Sequence, residues 1–311
     1  MDPDRTLRLL EHRTLTAPFG ARFWDVAARD VVRSGLFVKA IEVQSRREPP
    51  VFQNGSGVWI VSGLRLSRPR SAFPTDEEFE RMGEFRFGDG TQTFWQYWST
   101  PSLRLELTVK DTEQRFVPYR FEADAPQRGF ARRVCGDDGP VDAMPLYPAP
   151  TRTVPTGMAV VRAQIAYPQW TSPPGAELTV VPAAWACLDV LIDGDVAGRS
   201  YADEQGRVAV MFPWPTPIDH SLDSPPPGAG ANALINQRWR VTLQAKWSGN
   251  LPADQIPNLC DVLAQPAVTL LESLPDVPLG TSELQYGREL VVRTSDTASP
   301  PSTNSVLLIR P

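Results

Sequence analysis

The chain has 311 residues, 41% hydrophobic and 22% charged, a globular composition that excludes wholesale disorder. Its formal net charge of −5 leaves no basic field for nucleic acid or an anionic membrane surface. The 32 prolines against 21 glycines favour many short strands and extended connections over long helices, and the length suffices for two ordinary domains.

No stretch approaches the roughly 18–20 apolar residues needed to span a bilayer, so no integral membrane segment is expected. The opening MDPDRTLRLLEHRTLTAPFG has early acids and no apolar signal core, which makes the cytoplasm the expected compartment. Three cysteines, Cys135, Cys187 and Cys260, are odd in number and widely spaced, without any metal-clip pattern. Cys187 falls in an apolar strand, where a buried, inert thiol is expected.

Residues 1–21 read as a polar arm with a brief Leu7–Leu10 patch: a short helix, an arm that docks on something else, or a loosely ordered terminus. From residue 22 the pattern is β. Phe23 and Trp24 lead to a turn near Ser34-Gly35, then a strand from Phe37 to Val43. Asn54-Gly55 and Ser56-Gly57 mark a reversal before a strand at Val58–Val61. TDEEFERMGEF carries a helix-start signal, Thr75 with Glu78 three residues on. FWQYWS (Phe94–Ser99) is aromatic-rich and reads as a buried edge or interface. Leu103, Leu105, Leu107 and Val109 then alternate strictly with Arg104, Glu106, Thr108 and Lys110, a strand with one wet face. RFVPYRFEADAP returns the chain, with Pro118 at an edge or bulge.

The Pro, Gly and Asp density of residues 135–157 marks a linker, placed at 141–157 between a first domain (22–140) and a second (158–311). The second opens with Val161, Ala163, Ile165 and Tyr167 on one face. Its centre is Trp185–Pro217. There Ala186, Leu188, Val190 and Ile192 alternate with Cys187, Asp189 and Leu191, and Asp193-Gly194 turns the chain. Asp203–Gly206 makes a second reversal before a Val208, Val210, Phe212 stripe. Residues 221–233 read as a long exposed loop. Trp239, Val241, Leu243, Ala245 and Trp247 form a further inward stripe. A short helix ending by Pro266 and two closing strands, GRELVVRT and SVLLIRP, complete an all-β architecture: two antiparallel β-sandwich domains with short helical connections.

Chemistry has few candidates. His12 and His220 are the only histidines, the first in the arm and the second beside a proline loop, so a histidine triad or metal site has little to draw on. Asp137, Asp138 and Asp142, or Asp193, Asp195 and Asp203, could ligate calcium, but neither set matches an EF-hand and both fit turn chemistry. Trp95, Tyr97 and Trp98 could serve as a sugar-stacking platform or an interface. An enzyme would need distant acids converging in a cleft. No catalytic, cofactor-binding or metal-binding residue is singled out.

The segment LDVLIDGDVAGRSYADEQGRVAVMFPWP resembles the transthyretin-like or carboxypeptidase-regulatory β-sandwich, with its strand, Asp/Gly turn and Asp-x-x-Gly before the next strand. More broadly, RFWDVAARDVVRSGLFV, LTVKDTEQRFVPYRFEADAP, MPLYPAPTRTVPTGMAVVRAQI and LQYGRELVVRT…SVLLIRP follow an order similar to proteins that accompany phage-tail-like contractile injection systems. The stretch SRPRSAFPTDEEFERMGEFRFGDG departs from that order. The resemblance implies a non-enzymatic structural subunit near a baseplate, with other protein subunits as partners. The arm and the Val306–Ile309 strand are the expected docking segments. A carbohydrate- or surface-binding module is the alternative.

Overall fold

A computed structural model describes residues 19–64, 103–125, 130–170, 178–216, 234–274, 276–295 and 305–310. In the first half lie β1 (Phe19–Ala21), β2 (Phe23–Asp25), β3 (Asp30–Val32), β4 (Leu36–Glu42), β5 (Val51–Gln53) and β6 (Trp59–Val61). β7 (Leu103–Asp111), β8 (Tyr119–Ala125) and β9 (Met144–Leu146) follow. They form three sheets, ordered β1-β6-β5, β3-β2-β9 and β4-β7-β8. The alternation expected for β7 is observed: Leu105, Leu107 and Val109 are buried and Arg104 and Lys110 exposed. Its neighbours Ala40 of β4 and Tyr119 and Phe121 of β8 are buried with it.

The second half begins with β10 (Met158–Trp170), β11 (Leu178–Pro182), β12 (Cys187–Ile192), β13 (Asp195–Tyr201) and β14 (Arg207–Pro213). It continues with β15 (Arg238–Lys246), the short helix α1 (Leu259–Leu263) and β16 (Ala267–Ser273). β17 (Val277–Pro278), β18 (Ser282–Gln285), β19 (Leu290–Val291) and β20 (Leu307–Arg310) close it. The organising element is β10, whose 13 residues serve two ladders. Met158–Gln164 pairs with β14, and Ala166–Trp170 pairs with β11. Its other edge takes β19 and β20, both parallel. From β20 the sheet runs through β16, β15 and β12 to β13, curling into a half-barrel. Inside lie Val161 and Ile165, Val208, Val210 and Phe212, and Val241, Leu243 and Ala245, the stripes that period-2 alternation predicts.

The protein is all-β, and among the described residues helix is confined to one turn or so at a time. Pairing is not purely antiparallel, however, because β2–β9, β10–β19 and β10–β20 are parallel. Two expectations about connecting and terminal segments also meet a different structure. Within the stretch expected as a Pro-rich linker, Ala143, Met144, Leu146, Tyr147 and Ala149 are buried. The apolar residues between the prolines make this segment a strand: β9 pairs with β2, and Val117 N–H donates to Tyr147 O at 3.0 Å. Pro145 and Pro148 occupy positions where no ladder donor is required of them. Similarly, β20 does not offer itself to a neighbour. It lies between β10 and β16, with Leu307, Leu308 and Ile309 fully buried. Of the expected arm, Phe19 and Ala21 belong to β1 and are fully buried, while residues 1–18 lie outside the described residues.

Deleting residues 306–311 should therefore unfold the second half. Burying one Leu or Ile side chain stabilises by about 1.5–3 kcal/mol, and three lost together approach the whole stability of a domain. The expected outcome is loss of near-ultraviolet circular dichroism and of cooperative urea unfolding; a retained cooperative transition would contradict the central placement of β20.

Candidate functional site at the junction of the halves

Strand β12 is apolar on both sides. Leu188 and Val190 point into the half-barrel. Cys187 points the other way and joins Trp185, Tyr201, Leu259 and Val262 in a core shared with Tyr119, Phe121, Met144 and Tyr147 of the first half. Polar bonds cross the same boundary. The Tyr201 hydroxyl donates to Val117 O at 3.2 Å, and the Ser200 hydroxyl to Pro148 O at 3.1 Å. Arg120 donates its N–H to Pro257 O at 2.8 Å and its Nε to Ile256 O at 2.7 Å.

At the base of β12, Trp185 has φ +61°, a left-handed conformation that a bulky side chain rarely takes. The surroundings determine it: the ring is 2% exposed, and indole Nε1 donates to Pro252 O at 2.9 Å. Its carbonyl accepts from Gln265 Nε2 at 2.8 Å.

Into this apolar boundary the chain places charge. Arg199 on β13 grips Asp189 on β12 through Nε–Oδ1 at 2.6 Å and Nη2–Oδ2 at 3.1 Å. Its Nη1 reaches Asp137 Oδ1 at 3.2 Å and Asp138 Oδ2 at 3.1 Å, across from the first half. The Tyr147 hydroxyl donates to Asp138 Oδ2 at 2.7 Å, and Lys246 Nζ stands 3.7 Å from Asp189 Oδ2. Asp137 is solvated, so Asp138 and Asp189 are balanced by the mostly covered Arg199 and the half-buried Lys246. The hydrogen bonds that Arg199 donates to Asp189 raise its pKa further, against the opposing cost of burial. Burial, reinforced by the Asp189 charge, pushes the Cys187 thiol up to about 12. Burial likewise raises Tyr147, with Asp138 adding to it, and Tyr119, whose hydroxyl has no hydrogen-bond partner among the described residues.

A second clamp lies nearby. Asp25 on β2 accepts from Ala27 N–H and Ala28 N–H at 3.0 Å each, and Arg152 holds its carboxylate at 3.1 and 2.6 Å. Arg162 of β10 donates to Arg152 O at 3.0 Å and to Pro150 O, fastening the chain crossing to the half-barrel.

The candidate calcium ligands are therefore dispersed. Asp137 and Asp138 face Arg199, whereas Asp142 faces Arg22 at 3.6 Å. Asp193, at φ +53°, and Gly194, at φ +92°, form the two-residue turn that their sequence predicts. Asp203 caps its own turn, accepting from Gln205 N–H and Arg207 N–H at 2.9 Å each. No group of three or more potential metal ligands occurs among the described residues. Trp95, Tyr97, Trp98, His12, His220, the Thr75 helix start and residues 221–233 lie outside them. Trp239 and Trp247 are buried as expected, Trp239 against Trp214 at a 5.7 Å ring separation.

Spacing in the sequence did not single out Asp189 and Arg199, and the reason is a bulge. An unbulged hairpin around Asp193-Gly194 would set Asp189 opposite Gly198. The register shifts between Val190 and Leu191 and brings Arg199 opposite Asp189 instead. Gly198 within the strand is the one available signal, since strand glycines often mark bulges or close approach; a Cβ there would meet Phe212 and Val210 at 3.0 Å. Each carboxylate of the cluster already has a cation or hydroxyl, so the arrangement is suited to joining sheets. Outside it, large apolar side chains stand in solvent on strands hydrogen-bonded on one side only among the described residues: Phe37 on β4, Phe52 on β5 and Val196 on β13, each about half exposed.

No protein family, curated protein or solved structure matches the chain.

Two outcomes follow from the junction. Arg199→Met should cost about 3–5 kcal/mol in urea unfolding, the usual result of stranding a buried charge, and pairing it with Asp189→Leu should recover part of that loss. Unfolding free energy should also fall as pH rises from 9 towards 12. The unfolded Cys187 thiol, near its ordinary value of 9.0, ionises there while the folded one, raised to about 12, keeps its proton. Cys187→Ala should flatten the first part of that decline; an unchanged slope would show that the thiol is not held protonated.

Proposed function

We propose that the protein is a non-enzymatic structural subunit that docks onto other protein subunits of a phage-tail-like contractile injection particle, at the baseplate or its periphery. The observation that carries the docking reading is the exposure of Phe37, Phe52 and Val196 on sheet edges of a body whose halves share one core. Exposed strand edges with apolar side chains are ready partners for another chain, and a rigid body loses little freedom when it docks. The identity of the particle is supported by the order of segments from RFWDVAARDVVRSGLFV to SVLLIRP. On this reading the protein is made in the cytoplasm and assembled there. The described residues contain no helix long and apolar enough to cross a membrane.

The test is gradient sedimentation of native lysate, tracking this protein. Co-migration with a very large sheath-containing particle is expected. The double variant Phe37→Asp, Phe52→Asp should move it to the light fractions while leaving the purified monomer's melting curve unchanged within a few degrees, since both side chains are solvated in the free protein. Wild-type protein confined to light fractions would overturn the reading and turn attention to a surface- or sugar-binding module.

A further inference from the structure

Cysteine spacing offers no sign of a disulfide, yet Cys135 and Cys260, 125 residues apart, are joined, with their Cα atoms 5.4 Å apart. The bond ties the turn 135–139 of the first half to helix α1 of the second. Both of its cysteines are half-buried, whereas Cys187 is buried and protonated and cannot attack from within.

The disulfide joins an exposed turn to a helix seated in the shared core, where Leu259 and Val262 are fully buried. α1 has five residues, capped by Asn258, whose side chain accepts from Cys260 N–H at 2.9 Å. The turn carries Gly136 at φ +72° and Gly139 at φ +86°, and a Cβ on Gly136 would stand 2.9 Å from Leu263 of α1. The positive φ at both positions favours glycine, and at Gly136 the end of the Leu263 side chain fills the space beside it. The turn also supplies Asp137 and Asp138, the two carboxylates that reach Arg199 from the first half. Beneath it lie the shared core, which includes Leu259 and Val262 of α1, and the Asp189–Arg199 pair.

We propose that the Cys135–Cys260 disulfide is a redox latch that controls whether the turn carrying Asp137 and Asp138 stays closed over Arg199 at the junction. Opening requires an external dithiol. Its thiolate attacks one sulfur and the S–S bond breaks, the departing cysteine taking up a proton. The dithiol's second thiolate then resolves the mixed disulfide, leaving two protein thiols and an oxidised reductant. Closing is the reverse, with a small-molecule disulfide as oxidant. Disulfides are rare where thiol reductants prevail and persist in oxidising surroundings. The latch is thus open in a reducing cytoplasm and closes on exposure to an oxidising exterior. The inference stands apart from the docking reading, because it concerns the isolated protein.

The experiment is hydrogen exchange on the full chain, oxidised and then reduced with dithiothreitol, with alkylation counting thiols in each state. Oxidised folded protein should take up no alkylating agent and, once denatured, one equivalent; reduced and denatured, it should take up three. Reduction should speed exchange at residues 135–139 by at least about ten-fold while α1, β12 and β15 stay protected, the pattern of a local opening. A Cys135→Ser, Cys260→Ser variant should show the same pattern without reductant; if it does not fold, the wild-type reduction still decides. Three thiols alkylated in oxidised denatured protein, unchanged exchange at the turn, or acceleration spread through β10, β12 and β15 would each overturn the latch.

Discussion

Asp189 is both buried and paired with Arg199, and much of the structure depends on that pairing. A carboxylate 4% exposed in an apolar boundary is tolerable only when a cation meets it with good geometry, and Arg199 does so through two nitrogens. The same guanidinium then holds Asp138, to which Tyr147 also donates. Strand β12 can consequently be buried on both faces, with Leu188 on one side and Cys187 on the other. Such a strand makes the outer wall of the half-barrel into the inner wall of the first half.

That sharing explains the behaviour of the proline-dense crossing. A spacer between independent domains is expected to be solvated, but this one feeds Met144, Leu146 and Tyr147 into the common core. The clamps act together here: Arg152 on Asp25 fixes the chain to the first half, and Arg162 on the Arg152 carbonyl fixes it to β10. Both arginines are mostly covered, so these contacts are less screened than surface pairs.

Much of the local structure is legible in the sequence, because period-2 alternation and turn chemistry act over a few residues. The β7 stripe, the Asp193-Gly194 turn, the Asp203 reversal, the β15 stripe and the short helix before Pro266 are all read from near neighbours. What local reading misses is long-range. Cys135 and Cys260 are brought together across 125 residues, and β20 is inserted between β10 and β16 rather than left at an edge. The parallel pairing of β9 with β2 likewise depends on the tertiary path and not on composition. The Asp189–Arg199 pair needed both a hairpin and its bulge to be known. No local rule places a one-residue slip with certainty.

The central claim is that the two halves form one thermodynamic unit through the shared core on the outer face of β12. Differential scanning calorimetry of the oxidised protein tests it most directly. A single transition whose calorimetric enthalpy equals its van't Hoff enthalpy is expected, because neither half can keep its core when the other unfolds. Two separable transitions, each with its own matching enthalpies, would contradict the account and return the proline-dense crossing to the role of a spacer.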